Sequence, residues 1–397
     1  MRILFHGPGT STYLPEIRLP NTSGLRHSVT DRLVDLKDTQ SLTSNRGNLV
    51  HGEAPARIFQ CNRRQSAFAN LGTLHRIFGD RLRDLLPRHF DLIVLSAANF
   101  ISPTRDLTRL RDALNVIGNG VPFMVLGAGM QGSHALSELH PSVQEILDIY
   151  NRRAVVFGVR GAQTEAWLHR NGFERAQALG CPSMYVFPQS IMSIDHTAAH
   201  RAGASAKILT AGYLTVRKGR HFDRGRQLAR AMKGADASYV FQDEFFAYGK
   251  LIEEGGSFND ATSTGDRDAL NRLLGQAAGV PLNMRNYYYF SETAAWRQVA
   301  LNHDIYIGDR FHGGVAALQV GRPGIFLAQD NRVAELTDFF DLPRMTLDEL
   351  EAEGIQHAIR HRVTAETVAR TKATYRIRFQ RFADTMKSHG VKLHSSL

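Results

Sequence analysis

Cysteine is nearly absent from this 397-residue chain, which carries only Cys61 and Cys181 and no CxxC pair. That excludes a disulfide framework and the paired-cysteine zinc sites, and it suits a reducing cytoplasm. Long apolar runs are missing too, so no stretch approaches the roughly 20 residues of a membrane span. The opening "MRILFHGPG" is too short in its apolar part to read as a signal peptide. There is no GxxxxGK[ST] loop and no GxSxG elbow, which removes P-loop and α/β-hydrolase chemistry. His357 and His361 are four apart, but Ala358 stands where the zinc-protease pattern needs Glu, so no metal site is expected. Negative charge is the minority sign: 48 Lys and Arg face 38 Asp and Glu, for a net charge of +10 and a pI near 9.8. Such a balance favours acidic partners, namely phosphorylated metabolites, anionic sugars or lipid head groups. No basic low-complexity tail accompanies it, so nucleic acid is not expected as a partner.

What is present alternates. Strand candidates fall at 3–5, 92–96, 123–126 and 155–158, then at 208–211, 239–242, 305–308 and 325–327. Amphipathic segments such as 143–150, 162–171 and 224–232 lie between them. Uninterrupted apolar strands separated by helices predict parallel, doubly wound sheets covered on both faces. The small, polar stretch at 195–207 reads as a linker, giving domains over 1–195 and 196–345 and a helical tail over 346–397. Within the tail Tyr375, Phe379, Phe382 and Met386 follow helical spacing, with Arg370, Lys372, Arg376, Arg378 and Arg381 opposite. A solvated basic face on a packing helix is the plainer reading, and peripheral contact with a lipid surface is the alternative. Segments 7–60 and 253–295 resist assignment, although "YYYF" at 287–290 fits a strand or core segment.

The chemistry concentrates in "IYIGDRFHGGVAALQVGRP" at 305–323. If 305–308 is a strand, Asp309, Arg310 and His312 lie just past its carboxyl end, where open α/β sheets bind ligands. Arg310 would grip an anion, His312 would move a proton, and Gly313 and Gly314 would let a ligand approach the backbone. The competing reading pairs Arg310 with Asp309 and makes His312 a helix cap. A second strand, Arg and helix succession at 154–172 puts Arg160 at another strand end. Two such arginines in two domains predict an anionic ligand held between them. Gly127, Gly129 and Gly132 in "LGAGMQG" have dinucleotide-loop spacing, but the next strand ends in Arg160 rather than an acid, so a Gly-rich strand-end loop is expected and NAD is not.

Taken together, these residues resemble the polysaccharide pyruvyl transferase family. The match rests on "DRFHGGVAALQVGRPGIFLAQDNRVAELTDFFDLP" (309–343), with its R-x-H-G segment, on "VVFGVRGAQTEAWLHRNGFERAQALGCPSMYVFP" (155–188), and on "LSAANF" (95–100) and "LGAGMQG" (126–132). The family's Gly-Asn-x-Gly-Asp loop has its nearest counterpart in "GNLVHGEA" (47–54), which is late and carries Glu53 for Asp. The resemblance implies an α/β, GT-B-like fold of two Rossmann-like domains facing a cleft, with a C-terminal helix. It implies phosphoenolpyruvate as co-substrate, no other cofactor and no metal, with a sugar or lipid-linked oligosaccharide as acceptor. The product would be a pyruvate ketal on an exopolysaccharide or cell-surface polysaccharide, made in the cytoplasm or at the inner face of the membrane. By residue it implies His312 and Asp309 as catalytic, and Arg160, Arg310, Gly313, Arg332, Asn48, Asn99 and Gly129 as substrate-binding. Two rival readings remain: a GT-B glycosyltransferase using a nucleotide sugar, and a non-catalytic polyanion binder.

Overall fold

The computed structural model describes residues 1–7, 45–216, 218–219, 221–242, 244, 259, 262–290 and 292–397. Most of the hard-to-read 7–60 segment and part of 253–295 fall outside these. The described chain forms two compact units, one of residues 1–7, 51–186 and 377–397, the other of 45–50 and 187–376. Each is a parallel-sheet α/β unit.

The first contains β1 (Ile3–His6), β2 (Ala67–Phe68), β3 (Leu92–Ser96), β4 (Asn99–Ile101), β5 (Phe123–Met130), β6 (Val156–Val159) and β7 (Ala176–Ala178). Their order is β2-β1-β3-β5-β6-β7 with β4 also on β5, every pair parallel. All five residues of β3 and the first seven of β5 are buried, as a sheet covered on both faces requires. β5 runs longer than its apolar stretch suggested. "LGAGM" continues the strand rather than forming a strand-end loop, and Gly127, at φ +74°, sits where the β5–β6 register slips between Val125 and Ala128. A left-handed residue inside a strand makes a bulge, and glycine adopts it without penalty.

The second unit contains β8 (Ile208–Thr210), β9 (Ala237–Val240), β10 (Tyr287–Tyr288), β11 (Ile305–Gly308), β12 (Gly324–Leu327) and β13 (Arg344–Met345), in the order β10-β9-β8-β11-β12-β13. The chain leaves β8 outward to β10 and returns to β11, so the order reverses between β8 and β11. That reversal opens a crevice beyond the carboxyl ends of the two central strands. The helix Phe311–Leu318 follows β11 and lies tightly on the sheet. A Cβ at Gly313 would come within 3.0 Å of the Tyr306 ring, and one at Gly314 within 2.3 Å of Phe326. These glycines therefore serve helix–strand packing, which corrects the expectation that Gly313 and Gly314 make room for a ligand. Tyr287, Tyr289 and Phe290 are wholly buried, as core residues.

The division between units falls at 186/187 rather than 195/196. The 195–207 stretch is not a bare linker, because Thr197–Ala202 is helical, Ala199 is buried and His200 Nε2 donates to the Val363 carbonyl at 2.8 Å. Nor do residues 346–397 stand apart as a tail. Leu347, Leu350, Ile359 and Val363 are buried in the second unit, where Arg230 pairs with Glu351 at 2.6 Å. The helix Ala365–Ser388 gives Tyr375 to that unit, against Phe340 at 6.3 Å, and Phe382 to the first, stacked on Tyr185 at 4.4 Å. Each such aromatic contributes about 1.5–3 kcal/mol through burial. On the polar face Arg370 pairs with Asp341 at 2.7 Å. Among the described residues no helix is long and apolar enough to cross a membrane.

Candidate functional site

In the second unit the sequence-predicted Asp309, Arg310 and His312 follow β11 into the crevice. Arg310 is the N-cap residue of the helix Phe311–Leu318, with extended backbone (φ −104°, ψ 106°) and no side-chain cap. Its side chain turns inward. Nε donates to the Gly212 carbonyl at 2.9 Å, Nη2 meets Glu244 Oε2 at 3.0 Å, and the guanidinium lies 3.5 Å from the centroid of the Tyr213 ring. Tyr306 Oη holds the Arg310 carbonyl at 2.7 Å, and Tyr239 Oη donates to Glu244 Oε1 at 2.6 Å. Both Arg310 and Glu244 are buried, with side chains 4% and 3% accessible. A planar guanidinium fixed at Nε, at one Nη and on one face has a single orientation.

Asp309 is buried and directs Oδ2 to Arg224 Nε at 2.6 Å. It pairs with Arg224 and not with Arg310, which corrects the reading that joined the two neighbours. Burial pushes its carboxyl up, against the pull of Arg224 and Arg310. Arg332 is the second residue of the helix Asn331–Phe340, whose N-cap is Asp330. Asp330 accepts from the Arg332 and Val333 amides and pairs with Arg332 Nη2 at 2.9 Å. Three guanidinium groups, of Arg224, Arg310 and Arg332, thus alternate with the carboxylates of Asp309, Glu244 and Asp330. His312 is half-buried in the first helical turn, its ring edge-on to Phe311 at 5.6 Å. Asn48 is half-buried in the short helix Gly47–Gly52, one residue beyond a glycine whose Cβ would lie 3.1 Å from His312 Cβ.

Burial alone would raise Asp330, but the charge and hydrogen bond of Arg332, the Val333 amide and Arg224 outweigh it and hold the carboxyl at about 2 against an ordinary 3.8. A carboxylate held down in the folded state stabilises fully above its unfolded value and loses that stabilisation as the pH falls through its folded one. Asp330→Asn keeps an acceptor for the cap. Between pH 5 and pH 2 the wild type should therefore lose about 2 kcal/mol that the variant does not, read as the difference in denaturant midpoints.

In the first unit, Arg160, Asn99 and Gly129 converge. Arg160 follows β6, away from that sheet's own reversal between β1 and β3. Its Nη1 donates to Asn99 Oδ1 and its Nη2 to the Met130 carbonyl. The stem crosses Gly129, where a Cβ would lie 2.4 Å from the guanidinium carbon. Gly129 therefore makes room for Arg160 rather than for a ligand, and Asn99 orients the arginine. Nearby, Cys181 Sγ lies 3.3 Å from His51 Nδ1, while His51 Nε2 donates to the Ala97 carbonyl at 2.7 Å. Burial pushes the thiol up to about 11 and the imidazole down to about 4, so the pair is neutral and no thiolate nucleophile forms.

Sequence reasoning missed Tyr213, Arg224, Glu244 and Tyr239. The signal that could have found Tyr213 and Glu244 is the strand-end rule itself, since they follow β8 and β9 as Asp309 follows β11.

The sequence model of the family described as polysaccharide pyruvyl transferase matches residues 45–331 of this chain. No curated protein matches it. Among solved structures, Anabaena HepE in complex with UDP and glucose is similar at 13% identity and a TM-score of 0.48, covering 98% of this chain and 100% of that one. The UDP-GlcNAc 2-epimerase of Neisseria meningitidis bound to UDP-GlcNAc is similar at 10% identity and a TM-score of 0.44, covering 80% and 82%.

Proposed function

The chain belongs to the polysaccharide pyruvyl transferase family, and from that membership we propose that it transfers the pyruvyl group of phosphoenolpyruvate to a pair of sugar hydroxyls. The product is a pyruvate ketal on an exopolysaccharide or cell-surface polysaccharide, with a sugar or lipid-linked oligosaccharide as acceptor. The observation that carries this reading is the placement of Arg310 and His312 two residues apart beyond β11, at the reversal of the second sheet.

Phosphoenolpyruvate is an anion whose reactive atom is an enol carbon. A proton added to its methylene leaves oxocarbenium character at the neighbouring carbon. One sugar hydroxyl attacks there, the C–O bond to phosphate breaks, and the second hydroxyl closes the ketal. One hydroxyl proton replaces that spent on the methylene, and the other leaves with phosphate. His312 is the group that moves the proton, as donor to carbon or as base toward the hydroxyl. Arg310, its charge held in one geometry by Glu244, forms the floor of the donor site. Arg332, with a side chain 20% accessible, offers the more reachable charge. Asp309 acts through Arg224 and is a positioning residue. Arg160 is the remaining donor-binding candidate, set by Asn99 within its own unit.

The test is incubation with phosphoenolpyruvate and a panel of sugars, following phosphate release together with the mass of one ketal-linked pyruvyl group on the acceptor. Thermal shift provides the companion: phosphoenolpyruvate should raise the melting temperature and UDP should not. Stabilisation by UDP alone, with no phosphate released, would overturn the proposal.

A further inference from the structure

Arg46 is wholly buried, and among the described residues none of its three guanidinium nitrogens has a hydrogen-bond partner. Its guanidinium carbon lies 4.5 Å from the centroid of the Tyr289 ring, and that tyrosine favours its charge against the cost of burial. An arginine cannot shed its proton to escape such a site. Leaving a cation buried without a counter-charge costs several kcal/mol, which a ring face offsets only in part.

Beside it stands a second unsatisfied donor. Gln242, 2% exposed, lies past the carboxyl end of β9 and accepts from the Gly47 amide through Oε1 at 3.2 Å, while its Nε2 has no partner among the described residues. Residue 47 has no room for a side chain. A Cβ there would lie 2.7 Å from Gln242 Oε1 and 3.1 Å from His312 Cβ. The glycine thus seats the Arg46 segment directly between Gln242 and the proposed catalytic histidine. The flanking residues Asn45, Asn48 and His312 are half-buried. Arg310, Arg224 and Arg332 each have a carboxylate, whereas Arg46 has none among the described residues.

We propose that Arg46 and Gln242 Nε2 form an oxyanion site beside His312, which takes the phosphate or the carboxylate of the substrate. This deepens the transferase reading and rests on it for the identity of the substrate, but not for the existence of the site. It supplies, within the second unit, the uncompensated cationic grip that the paired arginines do not. Burial also depresses the proton affinity of the Arg46 guanidinium, the expected strain of a charge awaiting its counter-ion.

The experiment compares wild type, Arg46→Met and Arg46→Lys by thermal melting and calorimetry with inorganic phosphate and, separately, with pyruvate. In anion-free buffer Arg46→Met should melt no lower than wild type, because it removes an uncompensated buried charge. Its affinity for the preferred anion should fall at least tenfold, with Arg46→Lys in between. Phosphate responding assigns the phosphate group to the site, and pyruvate responding assigns the carboxylate. Should Arg46→Met fail to fold, Gln242→Met carries the test, with an expected loss of about tenfold for one hydrogen bond to a charged group. Equal affinity in wild type and variants for both anions, or no response to either in wild type, overturns the site. Anion binding lost in the variants without any phosphoenolpyruvate turnover in wild type would keep the site and remove the transferase reading. Turnover with an unchanged KM in Arg46→Met would do the reverse.

Discussion

Replacing His312 by Gln should lower the turnover of phosphoenolpyruvate by about 10²–10⁴-fold while leaving its affinity within a few-fold of wild type. That range is the ordinary contribution of a positioned general acid or base, about 3–5 kcal/mol of barrier. Glutamine keeps a planar, hydrogen-bonding side chain of similar reach and cannot carry a proton between atoms. His312 is half-buried in the first turn of the helix Phe311–Leu318, whose hold on the sheet comes from the neighbouring residues Phe311, Gly313, Gly314 and Val315, all buried. The fold therefore has little reason to notice the change, and the melting temperature should stay within a few degrees. Single-turnover kinetics with saturating donor, set beside calorimetric affinity, separate the two quantities. A variant that makes ketal at close to the wild-type rate would remove His312 from the proton-transfer step. A variant that keeps its rate constant but loses donor affinity would recast it as a binding residue.

The architecture was legible wherever a strand was long and buried. β3, β5, β11 and β12 are largely apolar runs of four residues or more, and their burial on both faces is the cause of that pattern. β2, β4, β7, β10 and β13 are two or three residues each, too short for any periodicity to register. At the site, the sequence could place Arg310 and His312 beyond a strand because the strand itself was visible. It could not pair the charges. Asp309 and Arg310 are adjacent, which suggested a contact, but in extended backbone consecutive side chains diverge. Each found its partner far along the chain, Asp309 in Arg224 and Arg310 in Glu244. The glycines misled in a related way. A glycine announces that something approaches closely without saying what: Tyr306 and Phe326 at Gly313 and Gly314, and the Arg160 stem at Gly129.

Arg310→Met should produce the largest loss of stability at the site, about 3–5 kcal/mol by denaturant titration, together with a loss of donor affinity. The two losses have different causes, and a second substitution separates them. Removing Arg310 takes the guanidinium from Oε2 of the buried Glu244, whose Oε1 Tyr239 still holds, and takes from the Gly212 carbonyl its donor at 2.9 Å. The cost is mainly that of a buried carboxylate that has lost its Arg310 counter-charge, not of the pair's own attraction, because taking both ions from water consumed most of that attraction. Adding Glu244→Leu removes the stranded charge, so the double variant should regain most of the stability. Donor affinity should not return, since apolar side chains supply no fork for phosphate or carboxylate. If the double variant recovered both, Arg310 would be a structural ion-pair partner whose removal merely disturbed the crevice. Recovery of stability alone makes it a ligand group that Glu244 holds in position, and the non-additivity of the two single variants measures how strongly.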